Sequence, residues 1–174
     1  MDLKQIIRTV DDFPTPGVKF LDVTSILEDP VVFRKTVKKF EKIVSNNDIE
    51  SIVAVDARGF IWAGAVAASL AIPLYLARKP GKLPGAVVTK EYATEYSTTS
   101  LSMIKDADIK GPVLVIDDIL ATGGTLQAVG ELLTEHWAIQ PQDQIHAVLV
   151  NLSFLPGYQR LTQLGYCVEA LETY

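Results

Sequence analysis

The chain has 174 residues, which suits one domain with a sizeable core. Its 48% hydrophobic and 21% charged content is typical of a soluble globular protein. A formal net charge of −5 argues against a general binder of nucleic acid or membrane surface, so any polyanion site has to be a local basic pocket. Cys167 is the only cysteine, which rules out an internal disulfide. Its apolar C-terminal strand pattern predicts a buried thiol rather than a nucleophile. Met-Asp-Leu-Lys opens the chain without an apolar signal region, and no run is long enough to span a membrane. A cytoplasmic location is therefore expected.

Residues 2–10 alternate in a way that predicts a short amphipathic helix, and Asp11 to Gly17, with Pro14 and Pro16, reads as a turn-rich stretch. In the following run to Ser25, periodicity alone reads Phe20 as core. Asp29-Pro30 opens a helix to about Ser45, with Pro30 tolerated at its start. Val32, Phe33, Val37, Phe40 and Val44 recur on it at helical spacing. Ser51 to Val55 is a buried strand that ends in Asp56-Ala57-Arg58-Gly59-Phe60, and a helix rich in small residues follows to about Leu70. A strand, loop and helix start in this order can meet an anion, although a lone Arg-Gly reads equally as a surface turn.

Pro73 to Ala77 is a third strand, with Arg78 and Lys79 directly at its end. Prolines and glycines fix these two cations at the loop start, and each can make charge-assisted bonds of roughly 1.5–3 kcal/mol with a bound phosphate group. Lys82 suits a further phosphate contact or a solvated position. Gly81 to Ser100 is long and polar around a strand-like Ala86–Tyr92, the pattern of a lid or a disordered loop.

The most informative stretch runs from Val113 to Thr125. Val113 to Ile116 suits a strand buried on both faces, with Asp117 and Asp118 standing where it leaves the core. Ala121, Thr122, Gly123, Gly124 and Thr125 then lead into a helix to about Trp137. The glycines bring backbone N–H groups close to a ligand, the threonines add hydroxyls, and the helix start adds free N–H groups and partial positive charge. A phosphate fits there. The two carboxylates would repel it, and paired acids at a strand end can instead hold sugar hydroxyls, directly or through a metal ion. Neither G-x-x-x-x-G-K-[ST] nor G-x-G-x-x-G is present. Beyond this point His136 sits near a helix C-terminus as a structural residue. Gln144 to Leu149 is a strand with His146 in its packing, and Leu152 follows it. The last strand runs from Tyr166 to Leu171. Two scattered histidines make no metal site. Strands alternating with helices predict a single α/β domain over 1–174, with a mainly parallel central sheet flanked by helices and ligands bound at the strands' C-terminal ends.

The Val113–Thr125 run closely resembles the phosphoribosyl pyrophosphate (PRPP) signature of the type I phosphoribosyltransferases. Its Leu-Ala-Thr-Gly-Gly-Thr form is most similar to that of the adenine phosphoribosyltransferases. Phe13-Pro-Thr-Pro-Gly-Val-Lys-Phe-Leu-Asp-Val-Thr-Ser resembles the hood of that family, within about residues 1–25. Asp56–Phe60 resembles its pyrophosphate loop, Arg78-Lys79-Pro-Gly-Lys-Leu-Pro its basic loop, and Ala93-Thr-Glu-Tyr its flexible catalytic loop.

The resemblance implies the reaction adenine plus PRPP giving AMP plus pyrophosphate, in a cytoplasmic homodimer that binds neither nucleic acid nor membrane. Phe20 and Leu152 would cover the two faces of adenine, with the backbone of Lys19 and Leu21 reading its edge and Arg58 nearby. Asp117 and Asp118 would hold the ribose, and residues 121–125 the 5′-phosphate. Arg58, Arg78 and Lys79 would bind pyrophosphate. Glu95 would handle a proton at a base nitrogen, with Asp118 and Arg58 completing the catalytic set and Glu91 a lesser candidate. Mg²⁺ would be bound mainly through PRPP, near Asp117, with no direct protein ligand assigned. A strained peptide bond is expected near Asp56-Ala57. Departures from the family pattern fall at Leu21, where many members carry Arg, at Ser97 and Thr98 in place of Gly and an acid or Lys, and at Leu101–Ile104 in place of Leu-Glu-Ile-His. Two alternatives remain open: the same chemistry on another 6-substituted purine, or a non-catalytic PRPP- or nucleotide-sensing regulator on the same fold.

Overall fold

The structure, a computed structural model, describes residues 2–93 and 98–174. Its centre is a five-stranded sheet built from β3 (Ser51–Val55), β4 (Leu74–Ala77), β7 (Val113–Leu120), β8 (Gln144–Asn151) and β9 (Cys167–Thr173), in the order β4-β3-β7-β8-β9. Every pairing in it is parallel. The chain leaves β3 toward β4 on one side and later returns as β7 on the other. The C-terminal ends of β3 and β7 therefore flank the switch point, where an α/β sheet opens a crevice.

Side chains alternate between the two faces. Ile52, Ala54, Leu114, Ile116, Ala147 and Leu149 face Phe40 of α1 (Pro30–Asn46) and Trp62 and Val66 of α2 (Gly59–Leu70). Val53, Val55, Val113, Val115 and Val148 face Leu126, Val129 and Leu132 of α3 (Gly124–Trp137). These side chains are almost wholly buried. Each of the Val, Ile and Leu side chains contributes about 1.5–3 kcal/mol of transfer free energy, which is why strands covered on both faces read as unbroken aliphatic runs. At the start of α1, Asp29 Oδ1 accepts from Val31 N at 2.8 Å and Val32 N at 3.2 Å, with Pro30 at the first position where no N–H is needed. Among the described residues no helix is long and apolar enough to cross a membrane.

Several expectations need correction. Residues 2–10 do not form an amphipathic helix. Leu3–Gln5 is a short 3-10 turn, and β1 (Arg8–Asp11) pairs antiparallel with β2 (Lys19–Asp22). The alternation in that stretch is a strand period completed by a partner some ten residues on. Within the polar stretch 81–100 the strand-like centre is indeed a strand, β5 (Val87–Ala93), and it pairs antiparallel with β6 (Thr98–Ile104). Val88 of β5 and Leu101 and Met103 of β6 are buried against the α3 side of the sheet. The strand carrying Asp117 and Asp118 does not end at Ile116: pairing with β8 carries it to Leu120, opposite Asn151. Cys167 is exposed rather than buried, because it opens the edge strand β9, none of whose positions is fully buried. A further helix, α4 (Gly157–Gln163), was not foreseen.

Candidate active site

The site is built at the C-terminal edge of the sheet, from the loops that leave β3, β4, β7 and β8. The loop after β3 carries the Asp56-Ala57 bond, which is cis, and then Arg58. Gly59 starts α2 directly against β7. A Cβ there would lie 2.5 Å from the Ile116 carbonyl oxygen and 3.2 Å from Asp117 Cα, so only glycine lets the start of α2 approach the strand this closely.

Asp117 and Asp118 are buried at the end of β7. Asp117 Oδ1 accepts the Asp118 backbone N–H at 2.8 Å. Burial and the neighbouring Asp118 charge push the Asp117 carboxyl well above the usual carboxylate range, against the pull of Arg58. Asp118 has a partner in the next loop: its Oδ2 accepts from Arg58 Nε in a close ion pair. The same guanidinium lies 5.9 Å from the Phe20 ring centre, and Phe13 meets Phe20 edge-on at 5.0 Å. The Arg58 guanidinium is thus shared between the hood aromatic Phe20 and the buried acid Asp118. The hood is tied down by Ser25 Oγ, which donates toward the carbonyls of Ile6 and Asp22 and accepts from Arg8 N.

Arg78 is organised in a parallel way. Its Nε donates to Asp56 Oδ2 at 3.1 Å, its Nη1 to the Lys82 carbonyl at 3.2 Å, and its guanidinium lies 5.5 Å from the Phe60 ring centre. Lys79 beside it is exposed, as are Lys82 and Lys19.

The loop after β7 turns at Gly123, whose φ of +81° lies in the region that favours glycine. Gly123 stands at the N-terminus of α3, so the first N–H groups of that helix face the loop's own concavity. Gly157 backs this loop from α4. Its N–H donates to the Ala121 carbonyl at 3.0 Å, and a Cβ on it would sit 2.3 Å from that oxygen. Leu152 leaves β8 half-buried, with its N–H on the Leu120 carbonyl at 3.0 Å. Leu21 and Leu152 both pack on the α1/α2 side of the core.

The structure therefore brings Phe20, Arg58 and Asp118 into contact, and places Asp117 and residues 121–125 on adjoining backbone. Arg78 and Lys79 stand on the other flank of Arg58's loop. Glu95 and Ser97 lie outside the described residues, while Thr98 opens β6 and Glu91 is exposed on β5. Sequence reasoning gave no role to Asp56, although an acid directly before the Arg58 loop was a usable signal. Gly157 carries no linear signal, because its role depends on Ala121 being opposite it.

Residues 22–150 match the phosphoribosyl transferase domain family. The chain is 41% identical to the adenine phosphoribosyltransferase of Kosmotoga olearia, with 100% of both chains covered, and to that of Thermotoga neapolitana over the same shares. The chain belongs to the adenine phosphoribosyltransferase family. Solved structures of such enzymes superpose closely. That from Giardia lamblia, complexed with 9-deazaadenine, gives a TM-score of 0.92 at 31% identity, covering 100% of this chain and 98% of that one. That from Thermoanaerobacter pseudethanolicus gives 0.87 at 34%, covering 99% and 98%. As an adenine phosphoribosyltransferase family member, the chain carries its signature stretch on β7 and the start of α3, and its hood on the β1–β2 ribbon. Among the described residues no three or more His, Cys, Asp or Glu side chains converge as a metal cage. Asp118, paired with Arg58, and Asp117, which accepts a backbone N–H, are carboxylate oxygen donors of the kind a hard divalent ion takes.

Proposed function

We propose that the chain joins adenine to the ribose of PRPP, giving AMP and pyrophosphate. The observation that carries this reading is that Arg58 lies between the Phe20 ring and the Asp118 carboxylate. In this reading, one side chain joins the pocket for the base to the pocket for the ribose.

Each residue has a role in that reading. The N–H groups and hydroxyls of Ala121, Thr122, Gly123, Gly124 and Thr125 grip the 5′-phosphate, where the helix start favours negative charge. Asp117 and Asp118 accept hydrogen bonds from the ribose hydroxyls, Asp118 exchanging its Arg58 partner for the sugar. Arg58, Arg78 and Lys79 bind the pyrophosphate and stabilise its charge as it leaves. Adenine stacks between Phe20 and Leu152, with the backbone of Lys19 and Leu21 at its polar edge. N9 bonds to C1 of the ribose as the bond from C1 to the pyrophosphate oxygen breaks, through an oxocarbenium-like transition state. The N9 proton passes to Glu95, a role that rests on the resemblance of residues 93–96 to the family's catalytic loop. Asp117 lies where a Mg²⁺ ion bound mainly through PRPP would sit, and such an ion would supply further charge neutralisation to the leaving group.

The whole chain acts as one domain, with about residues 1–25 forming the hood. The working unit is a homodimer. That part of the reading rests on the resemblance to the family, whose members are usually dimeric. The exposed, unpaired Cys167 suits a reducing, cytoplasmic setting.

The test is product formation from PRPP and Mg²⁺ with adenine, hypoxanthine and guanine in parallel. AMP from adenine, with little product from the other bases, is the expected result. Turnover favouring hypoxanthine would move the assignment to another purine. PRPP binding without turnover on any base would make the chain a regulator.

A further inference from the structure

A chain of side-chain contacts runs across the outside of α3, away from the residues that would touch substrate. Arg160 of α4 donates from Nε to Gln127 Oε1 at 2.6 Å, and Gln127 Nε2 donates to Glu131 Oε1 at 2.7 Å. Glu131 Oε2 then pairs with Lys90 Nζ of β5 at 3.0 Å, and Glu135 Oε1, one turn further along α3, closes on the same ammonium. Gln127, Glu131 and Glu135 recur every four residues, so they form one ridge of the helix. Lys90 is 28% exposed, well below a freely solvated lysine, because both carboxylates hold it. Burial works against the Glu131 charge, yet Gln127 and Lys90 keep its carboxyl below the ordinary range.

This ridge connects two parts of the candidate active site. At one end α4 places Gly157 against the Ala121 carbonyl. At the other, β5 carries the half-buried Tyr92, which packs on the α3 side of the core with the Thr125 side chain beside its phenol. Lys90 and Tyr92 are two apart on one strand, so their side chains leave by the same face. That face is the one laid along α3.

We infer that Lys90 is a positioning residue. With Glu131, Glu135, Gln127 and Arg160 it docks β5 and β6 along α3, and so holds Tyr92 beside Thr125 of the phosphate-binding loop. The inference rests on the reaction proposed above for its kinetic consequence, and on geometry alone for the docking. The consequence is selective. Thr125 belongs to the 5′-phosphate end of the site, so loosening these strands weakens PRPP binding and leaves adenine binding unchanged.

The experiment compares Lys90→Met, Lys90→Arg, Tyr92→Phe and the double variant Lys90→Met/Tyr92→Phe with the wild-type full chain. Lys90→Met raises KM for PRPP roughly three- to tenfold, the range that a half-exposed ion-pair network supports, with KM for adenine within about twofold of wild type. Lys90→Arg keeps the charge and restores KM for PRPP. Tyr92→Phe shows the same split, and adding Lys90→Met to it changes little further, because both act through one contact. Additive effects in the double variant, or an unchanged KM for PRPP in Lys90→Met, would overturn the inference. Hydrogen exchange at the β5 and β6 amides reads the docking without turnover. Faster exchange in Lys90→Met but not in Lys90→Arg supports it, and no change in either overturns it. Absence of turnover in the wild type would strike the proposed reaction and leave the exchange result standing.

Discussion

Arg58 and Asp118, sixty positions apart in sequence, meet as an ion pair across the switch point of the sheet. Asp118 is buried on β7, whereas Arg58 is half-buried on the adjacent loop. Without ligand the cation neutralises an acid that would otherwise sit unpaired in a low-dielectric edge. With PRPP, both partners gain other uses: the carboxylate takes ribose hydroxyls and the guanidinium takes pyrophosphate. Arg58→Gln should therefore lower kcat/KM for PRPP by about 10²–10³-fold, through loss of leaving-group charge stabilisation. Steady-state kinetics at saturating adenine measure it.

Asp117 predicts a trade between stability and activity. Its carboxyl titrates well above the usual range because of burial and the Asp118 charge. A group whose folded pKa is raised gives its stabilisation at pH below the unfolded value near 3.8 and loses it as pH rises through the folded value. At neutral pH the charged form is therefore a burden on the fold. Asp117→Asn should raise Tm at pH 7 by a few degrees, keep the acceptor for the Asp118 N–H, and weaken PRPP binding. Thermal unfolding across pH 4–8 would show the gain shrinking toward acid.

Two glycines should not tolerate a methyl group. In Gly59→Ala the new carbon meets the Ile116 carbonyl at 2.5 Å, and in Gly157→Ala it meets the Ala121 carbonyl at 2.3 Å. Backbone has to move in each case, at a cost of about 1–3 kcal/mol, or roughly 2–4 °C in Tm per kcal/mol for a chain of this length. Gly157→Ala should also raise KM for PRPP, because the backbone that shifts is the phosphate loop. Chemical denaturation and kinetics on the same preparations separate the two effects.

His146 sets an acid limit. Burial in the middle of the sheet, against Tyr166 at 4.7 Å, lowers its pKa to about 3. In the unfolded chain it takes up a proton near pH 6.5, whereas the folded chain resists until about pH 3. Stability therefore falls as pH drops through that window, by about 1.4 kcal/mol per pH unit from this group alone. His146→Phe should flatten the dependence between pH 6.5 and 3, measured by urea midpoints. An unchanged slope would place the acid sensitivity elsewhere.

Much of this arrangement was legible in the sequence because of the physics of parallel sheets. Val113–Ile116 and Ser51–Val55 are covered on both faces, so they stand out as unbroken aliphatic runs, and the small residues after them mark the loops where helices begin. The acids at 117 and 118 were recognised, but not their burial, which follows from pairing of Ile119 with Val150 and Leu120 with Asn151. The hidden features are the non-local ones. Residues 8–11 became a strand because residues 19–22 lie beside them, and Cys167 faces solvent because β9 is an edge. Asp56 gains its role only when Arg78 folds back onto it, and Lys90 only when α3 runs past β5.

The most direct test of the account is AMP formation from adenine, PRPP and Mg²⁺ by the wild type and by Asp118→Asn, with PRPP binding measured on both. Robust turnover in the wild type, reduced about a hundredfold or more in Asp118→Asn with weaker PRPP binding, is the predicted result. Wild-type turnover that survives Asp118→Asn unchanged would contradict the assignment of the Arg58–Asp118 pair as the centre of the site.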